Sequence, residues 1–496
     1  MSVTTNIQAQ ARRRTPDCVR TGVTEEEEHM QSYPMLINGR SVNTTEQDPV
    51  INPAFGEPFA TCARGTSAHV NEAMEAAAAA YKTWRKDEAF RREKLRACAA
   101  AIQAKVSDIA TVLSQEQGKP ITAATGEVFG AAIWLSYFAD LQLAPEILQD
   151  DAEKRIQIVR KSLGVVAAIT PWNFPVILLC WKLAPAFLAG NTVVAKPSPY
   201  TPLTSLMLAD ALREILPPGV LNVLSGGNDL GAEMVTHSTP RKVSFTGSVM
   251  TGKKIMAAAA GDLKRVTLEL GGNDPAIVLD DVDPDAVADG LFWGAFQNSG
   301  QVCTAIKRLY VHEKVYAPIV SRLIERAQSV KVGNGLDPNT QLGPINNSMQ
   351  LNKVMELVED AKQNGAKIET GGVRLESSGY FYPPTIVTSA HAGMRLVDEE
   401  QFGTALPIIK YSKLDDAMEQ ANNTHFGLGG SVWTSDLKRG EALVQEIESG
   451  TGWVNHHLDI TPHAPFGGAK WSGIGYENGH WGYHEFTAMQ VVNAKK

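Results

Sequence analysis

The chain has 496 residues, 44% hydrophobic and 20% charged, the composition of a globular protein large enough for about three structural units. A formal net charge of −8 argues against a nucleic-acid surface, which needs a basic footprint. No apolar run reaches the roughly 18 residues of a membrane span, because Val176 to Leu188 is interrupted by Trp181, Lys182 and Pro185.

Residues 1–32 read as a mobile extension, with Arg12 to Arg14 followed by Glu25 to Glu28 and little apolar periodicity. The basic opening is weakly reminiscent of a mitochondrial transit peptide, and the glutamate run spoils the likeness. Ala73 to Lys105 has helix-forming composition with one break. Short apolar runs at Gly164 to Ile169, Thr192 to Ala195, Leu221 to Leu224 and Val243 to Phe245 predict strands. Helical patterns at Val176 to Leu188, Leu203 to Ile215 and Met250 to Ala260 alternate with them. Near-continuous apolar strands between helices imply a parallel sheet covered on both faces. A second series follows Gly272: strands at Ala276 to Leu279, Leu309 to His312 and Thr385 to Val387, and helices at Tyr316 to Ala327 and Asn347 to Gln363. The expected class is α/β with two Rossmann-like layers.

Five cysteines, Cys18, Cys62, Cys98, Cys180 and Cys303, lack CxxC spacing, which argues against a disulfide framework or a zinc site and for a reducing, cytoplasmic setting. Cys303 lies in the small, polar segment Asn298 to Ala305 after a helical stretch ending near Phe296. It is either an inert thiol or a nucleophile whose acidity must be raised by a helix terminus or a charge. Glu269 ends an apolar strand before Gly271-Gly272, so it is either salt-bridged or poised as a base. Asn173, between aromatics and prolines in Pro171 to Pro175, is a turn former or an amide donor suited to an oxyanion. Phe245, Thr246, Gly247, Ser248 and Gly252 form a strand–glycine–helix turn whose backbone donors suit a diphosphate, without the GxGxxG form.

Together and in this order these segments closely resemble the aldehyde dehydrogenase superfamily, from about Tyr33 to Asn493. The resemblance is carried by PWNFP at Pro171 to Pro175, FTGS at Phe245 to Ser248, LELGG at Leu268 to Gly272 and GQVC at Gly300 to Cys303. EEQFG at Glu399 to Gly403 and PFGGAKWSGIG at Pro465 to Gly475 add to it. It implies a cofactor domain over 33–143 and 164–272, a catalytic domain over 273–479, and an oligomerisation arm over 144–163 and 480–496 that makes a homodimer or homotetramer. It further implies oxidation of an aldehyde by NAD or NADP. Cys303 would be the nucleophile, Asn173 the oxyanion donor and Glu269 the base that activates water, supported by Lys182 and Glu477. The cofactor would lie along Ile169, Thr170, Pro171 and Trp172, then Lys196 and Ser198, then Gly227, the FTGS turn and Leu270. Glu400 and Phe402 would meet its nicotinamide half. Pro199 stands where NAD-selective members often carry a ribose-binding glutamate, so NADP stays open beside a slightly favoured NAD. Asn273 and Thr404 depart from the family pattern without removing a catalytic group.

The aldehyde tunnel implied by the resemblance is lined by Leu178, Trp181, Val302, Thr304, His456, Leu458 and Ile460. It is mostly apolar and carries no arginine, which suits a medium-chain aliphatic or aromatic aldehyde over a semialdehyde acid. Glu269 argues against a coenzyme-A-acylating enzyme, which typically lacks that base. The intact set of Cys303, Glu269 and Asn173 argues against a retired binding protein.

Overall fold

The computed structural model describes residues 30–496. The expected extension lies outside them except at its end: Gln31–Tyr33 pairs in parallel with Glu57–Ala63, so a strand spans the boundary drawn at residue 32.

The first α/β layer is an eight-stranded sheet. Its five central strands, Arg265–Glu269, Lys242–Thr246, Val165–Ile169, Thr192–Lys196 and Leu221–Val223, lie side by side in that order and run in parallel. They are apolar and largely buried because helices cover both faces, among them Ser67–Trp84, Pro175–Ala189 and Val249–Ala259. The predicted break in the long helix falls between Trp84 and Glu88, where Asp87 accepts a hydrogen bond from the Phe90 N–H and starts a new helix. The helix expected to reach Ile215 stops at Leu212, before Pro217 and Pro218.

Chain order sets the functional crevice. From Val165–Ile169 the chain proceeds one way across the sheet to Thr192–Lys196, whereas Lys242–Thr246 joins on the other side. That is a topological switch point, where the strand ends diverge and leave room for a ligand. Ile169 and Phe245 are register partners there, so Thr170 to Asn173 and Thr246 to Ser248 leave the sheet side by side.

The second layer is a seven-stranded sheet, parallel except at the edge strand Lys367–Thr370. At its centre lie Asp274–Val278 and Ile306–His312. The helix Pro284–Phe296 leads into the Cys303 loop, and Ile306–His312 leaves it. Gly473–Ile474, expected within the second unit, instead pairs antiparallel with Arg265–Glu269 of the first sheet. A third, separate sheet orders Thr487–Lys495, Lys154–Ser162 and Glu146–Asp150 as antiparallel neighbours. Among the described residues no helix is long and apolar enough to cross a membrane.

Candidate active site

Asn173 occupies the turn between Val165–Ile169 and the helix Pro175–Ala189, whose first residue is the proline that favours a helix start. Its side chain is buried, and Nδ2 donates to the Gln301 carbonyl at 3.0 Å, two residues before the thiol. One of the two amide hydrogens is thereby used and the other stays available. Asn173 is held in turn through its own carbonyl, which accepts from Lys119 Nζ at 2.9 Å and Asn298 Nδ2 at 3.2 Å. Lys119 pairs at 2.5 Å with Glu127, and both side chains are buried. The second oxygen of Glu127 accepts the N–H groups of Val176 and Ile177, which caps the helix that Asn173 precedes.

Cys303 sits just beyond a strained turn. Asn298, Ser299 and Gly300 have φ of 52°, 58° and 71°, three successive left-handed residues of which only the last is a glycine. Four consecutive carbonyls after this turn are gripped by side chains. Gln301 O accepts from Asn173 and Asn298, Val302 O and Cys303 O accept from Lys307, and Thr304 O accepts from His457.

His457 neighbours His456, which was expected to line the aldehyde tunnel; its side chain is buried behind the Cys303 loop. The hydrogen bonds allow one tautomer. The Thr304 carbonyl only accepts, so Nε2 carries the proton at 2.6 Å; Trp433 Nε1 donates to Ser431 Oγ, whose own proton therefore goes to Nδ1. Burial keeps the ring neutral, with its pKa pushed down to about 3. His456 is exposed, and Leu458 has φ of 67°.

Glu269 closes the strand Arg265–Glu269, 3% exposed, and neither carboxylate oxygen has a hydrogen-bond partner. It is therefore not salt-bridged. Burial foremost, and then the charge of Glu477, holds its pKa well above the carboxylate range, with Lys182 opposing. Lys182 is itself committed: Nζ contacts Glu477 Oε1 and Thr246 Oγ1, each at 2.8 Å. The charge of Glu269 reaches Cys303, so strand end and nucleophile share one site. An acidified thiol is not what the fold provides. Burial raises Cys303 to about 12, Lys307 opposes the rise, and Glu269, Asp274 and Glu400 add to it. The sequence expectation of a lowered pKa fails first because the thiol is desolvated, and then because the charges of Glu269, Asp274 and Glu400 add to the rise.

The crevice residues fit a dinucleotide on the chemistry of their donors and the room they leave. Ser248 caps the helix Val249–Ala259, accepting from the Thr251 N–H. At Gly252 a side chain would meet Leu270 Cδ2 at 2.6 Å, so only glycine lets this helix approach the strand end so closely. Gly227 caps the helix Asn228–Thr236. Thr170 Oγ1 is buried and has no partner. Lys196 is buried rather than solvated, donates to the Pro197 carbonyl, and is held down at about 8 mainly by burial, with Asp229 opposing. Ser198 is nearly buried and Pro199 is exposed beside it. Glu400 accepts the Gly272 N–H at 3.1 Å, and Phe402 meets Trp172 edge-on at 5.3 Å.

On the aldehyde side Leu178, Trp181 and Phe466 belong to one apolar cluster, against which Cys303, Phe174 and Ile460 pack. Trp181 stacks on Trp134 at 5.5 Å, and its indole N–H is buried without a partner. Val302 and Thr304 are buried, with Thr304 Oγ1 unpartnered. Sequence reasoning missed Lys119, Glu127, Trp134, Lys307 and Phe466. Even Lys307 left no usable signal, because with Arg308 beside it in the strand Ile306–His312 it reads as an ordinary charged pair.

The family model described as the aldehyde dehydrogenase family matches residues 41–492. The chain is 38% identical to an aminoaldehyde dehydrogenase of Malus domestica, over 90% of this chain and 92% of that protein. It is 38% identical to a probable NADP-dependent succinate-semialdehyde dehydrogenase of Sinorhizobium fredii, over 89% and 92%. The fold superimposes on the NAD complex of a Bacillus cereus aldehyde dehydrogenase with a TM-score of 0.92 at 33% identity, covering 94% and 97% of the two chains. With a nearly full-length family match, the same fold and its site assembled at the switch point, this chain belongs to the aldehyde dehydrogenase family.

Proposed function

We propose that the protein oxidises an aldehyde to its carboxylic acid through a thioester on Cys303, released to water by Glu269. The observation that carries this reading is Glu269: a buried carboxylate, unpartnered on both oxygens, whose charge reaches the thiol of a loop gripped by Asn173. The Cys303 sulfur, once deprotonated, forms a C–S bond to the carbonyl carbon. The resulting oxyanion is held by the free hydrogen of the Asn173 amide and the Cys303 N–H. A bound NAD(P) supplies the hydride acceptor, held by Lys196, the FTGS turn and Glu400. Glu269 then takes a proton from water as the oxygen attacks the thioester carbon, and the thiolate leaves. Cys303→Ala should abolish NAD(P)H formation while NAD(P) binding by calorimetry is retained; persistent turnover would overturn the mechanism.

The aromatic and aliphatic walls around Cys303 support a medium-chain aliphatic or aromatic aldehyde. The Sinorhizobium relative's name favours the second reading, a semialdehyde acid, whereas the segments expected to line the tunnel carry no arginine for a second carboxylate. A panel in which only short carboxylate-bearing semialdehydes turn over efficiently would replace the first reading with the second. For the cofactor, Pro199 puts no carboxylate beside the adenosine ribose, so NAD and NADP both serve, NAD slightly better. Comparing kcat/KM for the two checks this. The free thiols Cys62, Cys98, Cys180 and Cys303 support a reducing, cytoplasmic compartment. Thr487–Lys495, with Met489 and Val491 more than 60% exposed, supports an arm that joins copies of the chain into a dimer or a dimer of dimers.

A further inference from the structure

Lys307 is 2% exposed, and its Nζ meets three acceptors: Val302 O at 2.9 Å, Cys303 O at 2.6 Å and Glu400 Oε1 at 3.1 Å. Two of the ammonium's hydrogens go to the carbonyls, and Glu400 pairs with it as the counter-charge. Its partners are the backbone of the nucleophile on one side and a proposed cofactor-binding carboxylate on the other. The other groups whose charge acts on the thiol are carboxyls: Glu269 on the strand end, Asp274 at the start of the second sheet's central strand, and Glu400 itself. His457 behind the loop is neutral, and Lys182 is spent on Glu477. Among the described residues Lys307 is thus the cation whose charge acts on Cys303, and Glu400, paired with it, offsets it.

We propose that Lys307 is a positioning residue that fixes the nucleophile loop and raises the acidity of Cys303, with Glu400 moderating its field from the cofactor side. The inference rests on Cys303 being the nucleophile. A cation held at the thiol residue's own backbone carbonyl favours the thiolate, and a carboxylate sharing that cation weakens the effect. The two groups should thus shift thiol reactivity in opposite directions. A purely structural contact would shift both the same way.

The test is the rate of Cys303 alkylation by iodoacetamide as a function of pH, followed by peptide mass on the full-length protein. At a pH below the thiol titration the thiolate fraction changes about tenfold per unit of pKa, and the opposing change in nucleophilicity trims this to about threefold or more. Lys307→Met should slow alkylation by about threefold to tenfold at each such pH. Glu400→Gln should accelerate it, and Lys307→Arg should restore most of the wild-type rate. Should Lys307→Met not fold, Glu400→Gln decides: without acceleration the proposal is wrong. An unchanged rate in folded Lys307→Met, or both variants moving the same way, also overturns it. Alkylation needs no turnover, so these outcomes are separate from the failure of the mechanism itself, which Cys303→Ala reports.

Discussion

Glu269 carries a charge that water would solvate about as well as any carboxylate, in a place where nothing replaces that water. As the proposed base it works only when ionised, so kcat should fall as pH drops through its raised pKa; a pH–rate profile with no acid limb would count against the role. The same shift sets stability. In the unfolded chain the group ionises near the ordinary glutamate value of 4.5, while in the folded chain it holds its proton to higher pH. Its contribution to stability is therefore full below about that value and is lost as pH rises toward the folded pKa. Glu269→Gln, which never ionises, should melt close to wild type near pH 4.5 and above it at alkaline pH, read by thermal unfolding. In a rapid-mixing assay the same variant should give a burst of NAD(P)H followed by slow turnover, because the thioester waits for water.

Elements meet at this site through buried ion pairs. Lys182 on the helix Pro175–Ala189 and Glu477 after the short strand Gly473–Ile474 are 1% and 0% exposed and 295 residues apart in sequence. Lys182→Met leaves Glu477 an uncompensated buried anion and should cost ~3–5 kcal/mol. Adding Glu477→Gln should recover most of that loss in chemical denaturation. If the double variant were no better than the single, the pair would not be the reason. The parallel strands were legible in sequence because a strand covered on both faces reads as a continuous apolar run, as in Val165–Ile169 and Thr192–Lys196. The glycine turn at Gly247 and the strand end at Glu269 were legible for the same local reason. Lys119, Glu127 and Lys307 were not, since a lone charged residue in sequence looks solvated until its distant partners are known.

For the whole molecule, the separate sheet formed with Thr487–Lys495 contributes nothing to the site yet exposes Ile147, Leu148, Met489 and Val491. An exposed strand edge with apolar side chains needs a partner. Ending the chain after Phe486 should convert the assembly to monomers in sedimentation; an unchanged particle mass would remove the arm from the interface. What the sequence by itself determined was local: the strand–helix alternation, the turns, and the chemical types at Asn173, Glu269 and Cys303. What only the tertiary structure decided was how those groups are charged and held. It raised the thiol instead of acidifying it, packed His457 behind the Cys303 loop, and left Glu269 unpaired. The physical reason is that residue type and periodicity are local, whereas burial and Coulomb interaction depend on neighbours that only the folded chain brings within a few ångströms.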